Sequence, residues 1–243
     1  MNLQQKKDNS FLATEPLGRL LLKLSLPTVT AQVINMLYNI VDRIYIGHIP
    51  ETGALALTGV GVCMPLIMIV SAFAALVGNG GAPRASIFMG KGDKESAEQT
   101  LGNCFTTQIV VSLLLTLILF TGNKSFLMAF GASENTIPYA VAYMNIYSLG
   151  TIFVQLTLGM NAFITAQGFA KTSMLSVLVG AASNIILDPI FIFALHMGVR
   201  GAALATIVSQ ALSCTWVLHF LMGKKSYLKI HRCNMKLKKD IIL

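Results

Sequence analysis

Six stretches of this chain are dominated by apolar residues. Each is about as long as the ~20 residues an α-helix needs to cross a hydrocarbon layer. Short polar segments rich in Gly and Pro separate them. The pattern predicts helices over Leu20–Ile46, Leu55–Val77 with a helical continuation toward Met89, Ala97–Thr121, Ile137–Phe163, Thr172–Leu195 and Ala202–Met222. Breaker signals fall at 48–53, at Gly90-Lys91-Gly92-Asp93, at Gly131-Ala132-Ser133-Glu134, at Gln167-Gly168 and at Met197-Gly198. Ser133 and Glu134 are candidates to cap the fourth helix. The expected fold class is an all-α membrane protein. An N-terminal segment over 1–19 precedes a six-helix transmembrane unit over 20–222, and a basic tail over 223–243 follows it.

Composition supports the membrane class. The chain is 54% hydrophobic and only 12% charged, with a mean hydropathy of +0.68, whereas soluble domains carry about 25% charged residues. The net charge of +8 does not point to nucleic acid, because the basic residues sit in alternate loops and at the chain ends. Of the 18 Lys and Arg, only Arg43, Lys124 and Arg200 fall on one side of the expected bundle. The positive-inside rule then puts both termini in the cytoplasm, which requires an even number of crossings. Cys63, Cys104, Cys214 and Cys233 contain no CxxC spacing, and the four His are scattered, so no metal constellation is expected.

The apolar spans carry polar stripes. Gln32, Asn35, Asn39 and Asp42 are spaced 3, 4 and 3, which places them on one helix face, and Tyr38 lies one turn before Asp42. Ser173, Ser176, Gly180, Asn184 and Asp188 repeat the arrangement in the fifth span. A carboxylate at membrane depth costs at least ~2.5–3.5 kcal/mol, so by default it marks an ion or proton site. Pro189 follows Asp188 and leaves the carbonyl of Ile185 without its helical donor. That carbonyl, Asn184 and Asp188 make a plausible oxygen cage for Na⁺; equally, a proton would neutralise Asp188, or Pro189 simply ends a helix near the outer surface. Thr206, Gln210 and Ser213 share a face of the sixth span, and Gln155 and Asn161 lie in the fourth, less cleanly phased. Gln32, Asn35, Asn39, Gln155, Asn161 and Gln210 are the candidates to line a wet interior cavity. Arg43 points about 100° away from Asp42 and is expected to snorkel, with Tyr45, to the outer headgroups. Gly78-Asn79-Gly80-Gly81 lacks the GxxxxGK[ST] spacing of a phosphate loop and reads as close helix packing.

Two helix starts echo one another. Gly53-Ala54-Leu55-Ala56-Leu57-Thr58 follows Asp42, and Gly201-Ala202-Ala203-Leu204-Ala205-Thr206 follows Asp188, each after a short loop. Internal repeats are common in transporters, although Gly-Ala-Leu-rich starts also recur among unrelated membrane helices.

Tyr38-Asn39-Ile40-Val41-Asp42-Arg43-Ile44-Tyr45-Ile46-Gly47 resembles the end of the first helix of multidrug and toxic compound extrusion (MATE) transporters, in particular the bacterial multidrug export branch. Asn184-Ile185-Ile186-Leu187-Asp188-Pro189 is similar to the fifth-helix motif of that family, and Gly201–Thr206 to its sixth-helix start. The resemblance implies the N-terminal six-helix lobe of a twelve-helix MATE-type transporter in a bacterial inner membrane. It implies export of amphipathic organic cations in exchange for H⁺ or Na⁺, with Asp42, Asn184, Asp188 and Thr206 as the coupling-ion site and Tyr38 beside it. Pro27 matches the proline at which the first helix bends. No cofactor beyond the coupling ion is implied. A second six-helix half, or a second copy of this chain, is the implied partner beside lipid and drug.

Other readings weigh less. A lipid-linked saccharide flippase of the same superfamily calls for more cationic residues within the spans, where Arg84 is the only candidate. An intramembrane aspartyl protease needs a Gly-x-Gly-Asp context that neither acid has, so an enzyme is not expected. A fragment that folds without transporting is the remaining alternative.

Overall fold

The computed structural model describes residues 16–235. Most of the expected 1–19 segment and residues 236–243 of the expected tail lie outside them. Within the described residues every regular element is helical. α1 spans Leu17–Gly47, α2 Gly53–Gly90, α3 Lys94–Ala129, α4 Ile137–Leu149, α5 Thr151–Ala166, α6 Ala170–Pro189 and α7 Val199–Met222. Five of these are long and apolar enough to cross a membrane, and α4 with α5 makes a sixth crossing if the pair, bent by 57°, is taken as one span.

Boundaries follow local chemistry. α2 is helical well past Val77, to Gly90, running through both Pro65 and Pro83. Asp93 caps α3 by accepting a hydrogen bond of 3.0 Å from the Ser96 N–H, and this contact with Ser96 holds the exposed Asp93 carboxyl below its usual range. Gly92, Gly131 and Gly168 take the positive φ at which helices turn off, and Gly198 takes one at the entry to α7. The fourth-helix cap differs from expectation. α4 starts at Ile137, and Ser133 serves it through its carbonyl, which accepts from the Thr136 and Ile137 N–H groups at 3.1 and 2.9 Å. The single expected fourth span breaks at Gly150, over which the Ile207 side chain of α7 packs so closely that a Cβ at this position would meet its Cδ1 at 2.7 Å. α6 does not simply stop at Pro189. It passes into one wider turn with π geometry over Ile190–Ala194, a form that recurs at functional sites.

α2 packs along α5 and α3, α1 along α6, and α6 along α7. The echo in the sequence has a structural counterpart. Gly53 lies against the carbonyl of Gly47, and Gly201 against the backbone of Phe191, so each glycine lets a helix start press on the turn that follows an acid-bearing helix. One apolar cluster, with Ile46, Val60, Met144 and Ala202, fills the half of the bundle near these starts. A second, with Leu101, Met160, Phe163 and Leu221, fills the opposite, lysine-bearing end.

The segment after α7 folds back over that end. The Gln167 side-chain oxygen is buried and accepts from Ser226 Oγ and from the N–H groups of Tyr227 and Leu228 at 3.0, 2.9 and 2.9 Å. Glu98 accepts from the Lys229 N–H at 3.2 Å and pairs with Lys94 at 3.5 Å. Removing a buried acceptor costs about 1–3 kcal/mol. Gln167→Leu is therefore expected to speed trypsin cleavage at Lys224, Lys225 and Lys229 about tenfold or more, read by intact mass over time; an unchanged rate sinks the clamp.

Candidate functional site

α1 lies along α6, and the acid ends of the two predicted stripes meet inside the bundle, while Ser176 and Gly180 of the α6 stripe pack against Ser213 of α7. Asp188 has no solvent-accessible surface and Asp42 is 8% exposed. Their carboxyl groups are within hydrogen-bonding reach of each other. Asn184, one turn before Asp188 on α6, is also buried and donates its side-chain N–H to Asp188 Oδ1 at 3.1 Å. Neither acid has a salt-bridge partner among the described residues.

The leftover valences are informative. Asp42 Oδ1, Asn184 Oδ1, Asp188 Oδ2 and Gln210 Oε1 are all buried without a hydrogen-bond donor. Buried polar atoms are almost always paired, and these four are acceptors. A group that brings positive charge or donor hydrogens would satisfy them: a proton, a hard cation or water. No cluster of three or more His, Cys, Asp or Glu able to hold a metal occurs among the described residues, so any cation here is met by two carboxylates and neutral oxygens.

Asp42 opens onto a cavity of about 230 Å³, which Tyr38, Asn39, Thr206 and Gln210 help to line, while Asp188 stays buried behind it. Thr206 is within reach of the Tyr143 hydroxyl, and Tyr38 of the Gln210 side chain. Asn35 belongs both to this cavity and to a second one of about 730 Å³, nearer the lysine-bearing end, which Gln32 and Asn161 also line. Asn161 donates to the Ser173 carbonyl at 3.3 Å and keeps its own oxygen unpartnered. Gln155 lines neither cavity. It is buried in the seam between α2 and α5, donating to the Val70 carbonyl at 2.8 Å. Pro27 is buried within α1, which is helical on both sides of it.

Several residues join the site without having been singled out in the sequence. Tyr143 and Tyr147 of α4, one turn apart and stacked with ring centroids at 6.1 Å, form part of the cavity wall. Their four-residue spacing on one face of an apolar span was the available signal. Arg43 does not reach outward as expected. It is half-buried at the cavity, and its guanidinium donates to Met64 Sδ at 2.9 Å.

A family model described as MatE matches residues 27–190, which takes in both acids and the whole α1–α6 frame between them. The chain is 28% identical over 207 residues to the multidrug export protein MepA of Staphylococcus haemolyticus, covering 85% of this chain and 45% of that protein. It superposes on a solved MATE proline-to-alanine mutant with a TM-score of 0.87 at 25% identity, covering 96% of this chain and 52% of the other. A MATE solved in a bent conformation gives 0.85 at 26% identity, covering 93% and 50%. The chain thus spans about half the length of the relatives it matches. A family match over most of its length, reaching from one acid-bearing stripe to the other, means that this chain belongs to the MatE family of membrane transporters.

Proposed function

We propose that this chain is the ion-coupling lobe of an exporter of amphipathic organic cations. Asp42, Asn184, Asp188 and Thr206 hold the coupling ion, H⁺ or Na⁺, with Tyr38 beside it. The observation that carries the reading is the set of unpartnered buried oxygens on Asp42, Asn184 and Asp188, of which Asp42 faces the cavity. Such oxygens bind a cation in one helix arrangement better than in another, and differential binding is what lets an ion gradient move a conformational equilibrium. The polar lining formed by Gln32, Asn35, Asn39, Asn161 and Gln210 leads from the acids toward the larger cavity and supplies one wall of the drug path. Gln155 serves helix packing instead. Pro27 removes one helical hydrogen bond from α1 and gives it a place to bend.

The orientation follows from the basic residues, with the lysine-bearing end in the cytoplasm of a bacterial cell and the acids nearer the outside. The apolar outer face of α1, with Leu22, Val29, Val33, Met36 and Ile40 exposed, meets lipid or a second six-helix unit that completes the path.

The test is ethidium movement in proteoliposomes holding this chain, driven by an imposed pH or Na⁺ gradient, with Asp42→Asn and Asp188→Asn alongside. Movement lost in both variants is the expected result, and the gradient that drives it names the ion. Movement indifferent to both substitutions overturns the ion role. A helical chain that moves nothing, while its stability still responds to the ion, assigns the shortfall to a missing second unit rather than to the site.

A further inference from the structure

At the lysine-bearing end, on the outer surface of the bundle and away from the acid pair, a cavity of about 530 Å³ opens between α6 and α7. Its walls divide by chemistry. Leu175, Trp216 and Phe220 give it apolar walls, and Lys224, Lys225 and His219 give it basic ones. Thr172 stands in the first turn of α6, so the cavity also sits at the N-terminal end of a 20-residue helix, next to Lys171. No carboxylate lines it among the described residues. The helix dipole favours an anion at such a terminus, although the Thr172 N–H itself is taken by the Phe169 carbonyl at 2.9 Å. A site that joins basic and apolar side chains in one groove matches a molecule with an anionic head and a hydrocarbon tail. Trp216 is 40% exposed at the same level, the usual depth for a tryptophan at a membrane surface.

We propose that this groove is a binding site for one anionic phospholipid of the surrounding leaflet, its phosphate held between Lys224, Lys225 and the start of α6, its acyl chains laid on Leu175, Trp216 and Phe220. The proposal rests on the membrane-spanning fold and not on the transport reading, so either can fail alone. A bound lipid here ties the end of α7, and the segment that Gln167 clamps, to the N-terminus of α6, the helix that carries Asp188.

Trp216 is the only tryptophan of the chain and lines the groove, so its fluorescence reports on the site directly. The chain is reconstituted in phosphatidylcholine vesicles that contain a small fraction of brominated lipid, either phosphatidylglycerol or phosphatidylcholine. Brominated phosphatidylglycerol is expected to quench Trp216 more than the same fraction of brominated phosphatidylcholine. Each lysine near an anionic lipid is worth about 1 kcal/mol, roughly fivefold in relative affinity. Lys225→Gln should thus lower the preference about fivefold and Lys224→Gln/Lys225→Gln should erase it, while the double Arg replacement keeps it. Equal quenching by the two lipids overturns the proposal, and so does a preference that survives loss of both lysines. If the double Gln variant does not fold, Lys225→Gln and the Arg pair decide by the same criterion. Inorganic phosphate added to vesicles without anionic lipid should leave Trp216 emission unchanged; a saturable change with phosphate alone assigns the site to a soluble anion and overturns the lipid.

Discussion

Asp188→Asn is expected to raise the thermal midpoint of the purified chain in cation-poor buffer and to abolish its response to the coupling cation. The two carboxyls are buried within reach of one another, without a salt-bridge partner among the described residues. An uncompensated buried charge costs on the order of 3–5 kcal/mol. The amide has nearly the same shape and no charge, and it can still accept from Asn184, so the variant is relieved of whatever charge the wild type must bury in cation-poor buffer. A ligand that binds only the folded state adds about 2.7 kcal/mol at a hundred times its Kd. The wild type should therefore be stabilised by Na⁺ against an equal concentration of choline, or by successive steps toward acid pH, whichever ion is coupled. The variant should be flat toward both. Asp42→Asn removes the other member of the like-charged pair and should behave the same way. Thermal unfolding in detergent, followed by circular dichroism, reads both effects. A wild type indifferent to both ions sinks the ion site, and so does a variant that keeps the full response.

The parts of this site that sequence made visible are those set by periodicity. A 3.6-residue repeat of amides ending in an acid fixes a helix face, and two such faces in one membrane bundle have few places to go but toward each other. Asp42, Asn184 and Asp188 were legible for that reason. Tyr143 and Tyr147 were not, because an aromatic in an apolar span looks the same whether it faces lipid or a cavity. Arg43 was misjudged because helix phase gives the direction of the Cβ but not the reach of a flexible side chain, and the sulfur of Met64 lies 21 residues away in sequence. Gln155 has the composition of a cavity residue, yet its partner is a carbonyl on a helix that sequence cannot put beside it. The break at Gly150 has a similar origin. Gly150 has an ordinary negative φ, so nothing local demands a turn. The bend comes instead with a close approach of Ile207, a residue from another span.

Gly78→Leu should prevent the bundle from forming, while Gly80→Ala, two residues along the same helix, should be neutral or stabilising. α2 and α5 cross at Gly78 and Gly159. A Cβ on Gly78 would lie 2.9 Å from the Gly159 carbonyl oxygen and 3.0 Å from its Cα, against backbone that cannot rotate away. Even Gly78→Ala must push the helices apart and should cost about 1–3 kcal/mol. Lipid offers no hydrophobic gain to offset this, since membrane helices associate through close packing and cross-helix hydrogen bonds. One such bond joins the same two helices near the crossing: Gln155 donates to the Val70 carbonyl at 2.8 Å. Separation would lengthen it. At Gly80 a Cβ meets nothing within 4 Å, and in a helix interior Ala is favoured over Gly by up to about 1 kcal/mol. The contrast is measured by unfolding each variant in a denaturing detergent series while following helicity; equal effects at the two positions would exclude the crossing as the determinant. The seam also reaches the site. Leu158, adjacent to Gly159, lines both the cavity at the acids and the larger one below it. A substitution that opens the α2–α5 contact therefore displaces the wall between the two cavities, and Gly78→Ala should weaken the ion-induced rise in midpoint even where the chain still folds.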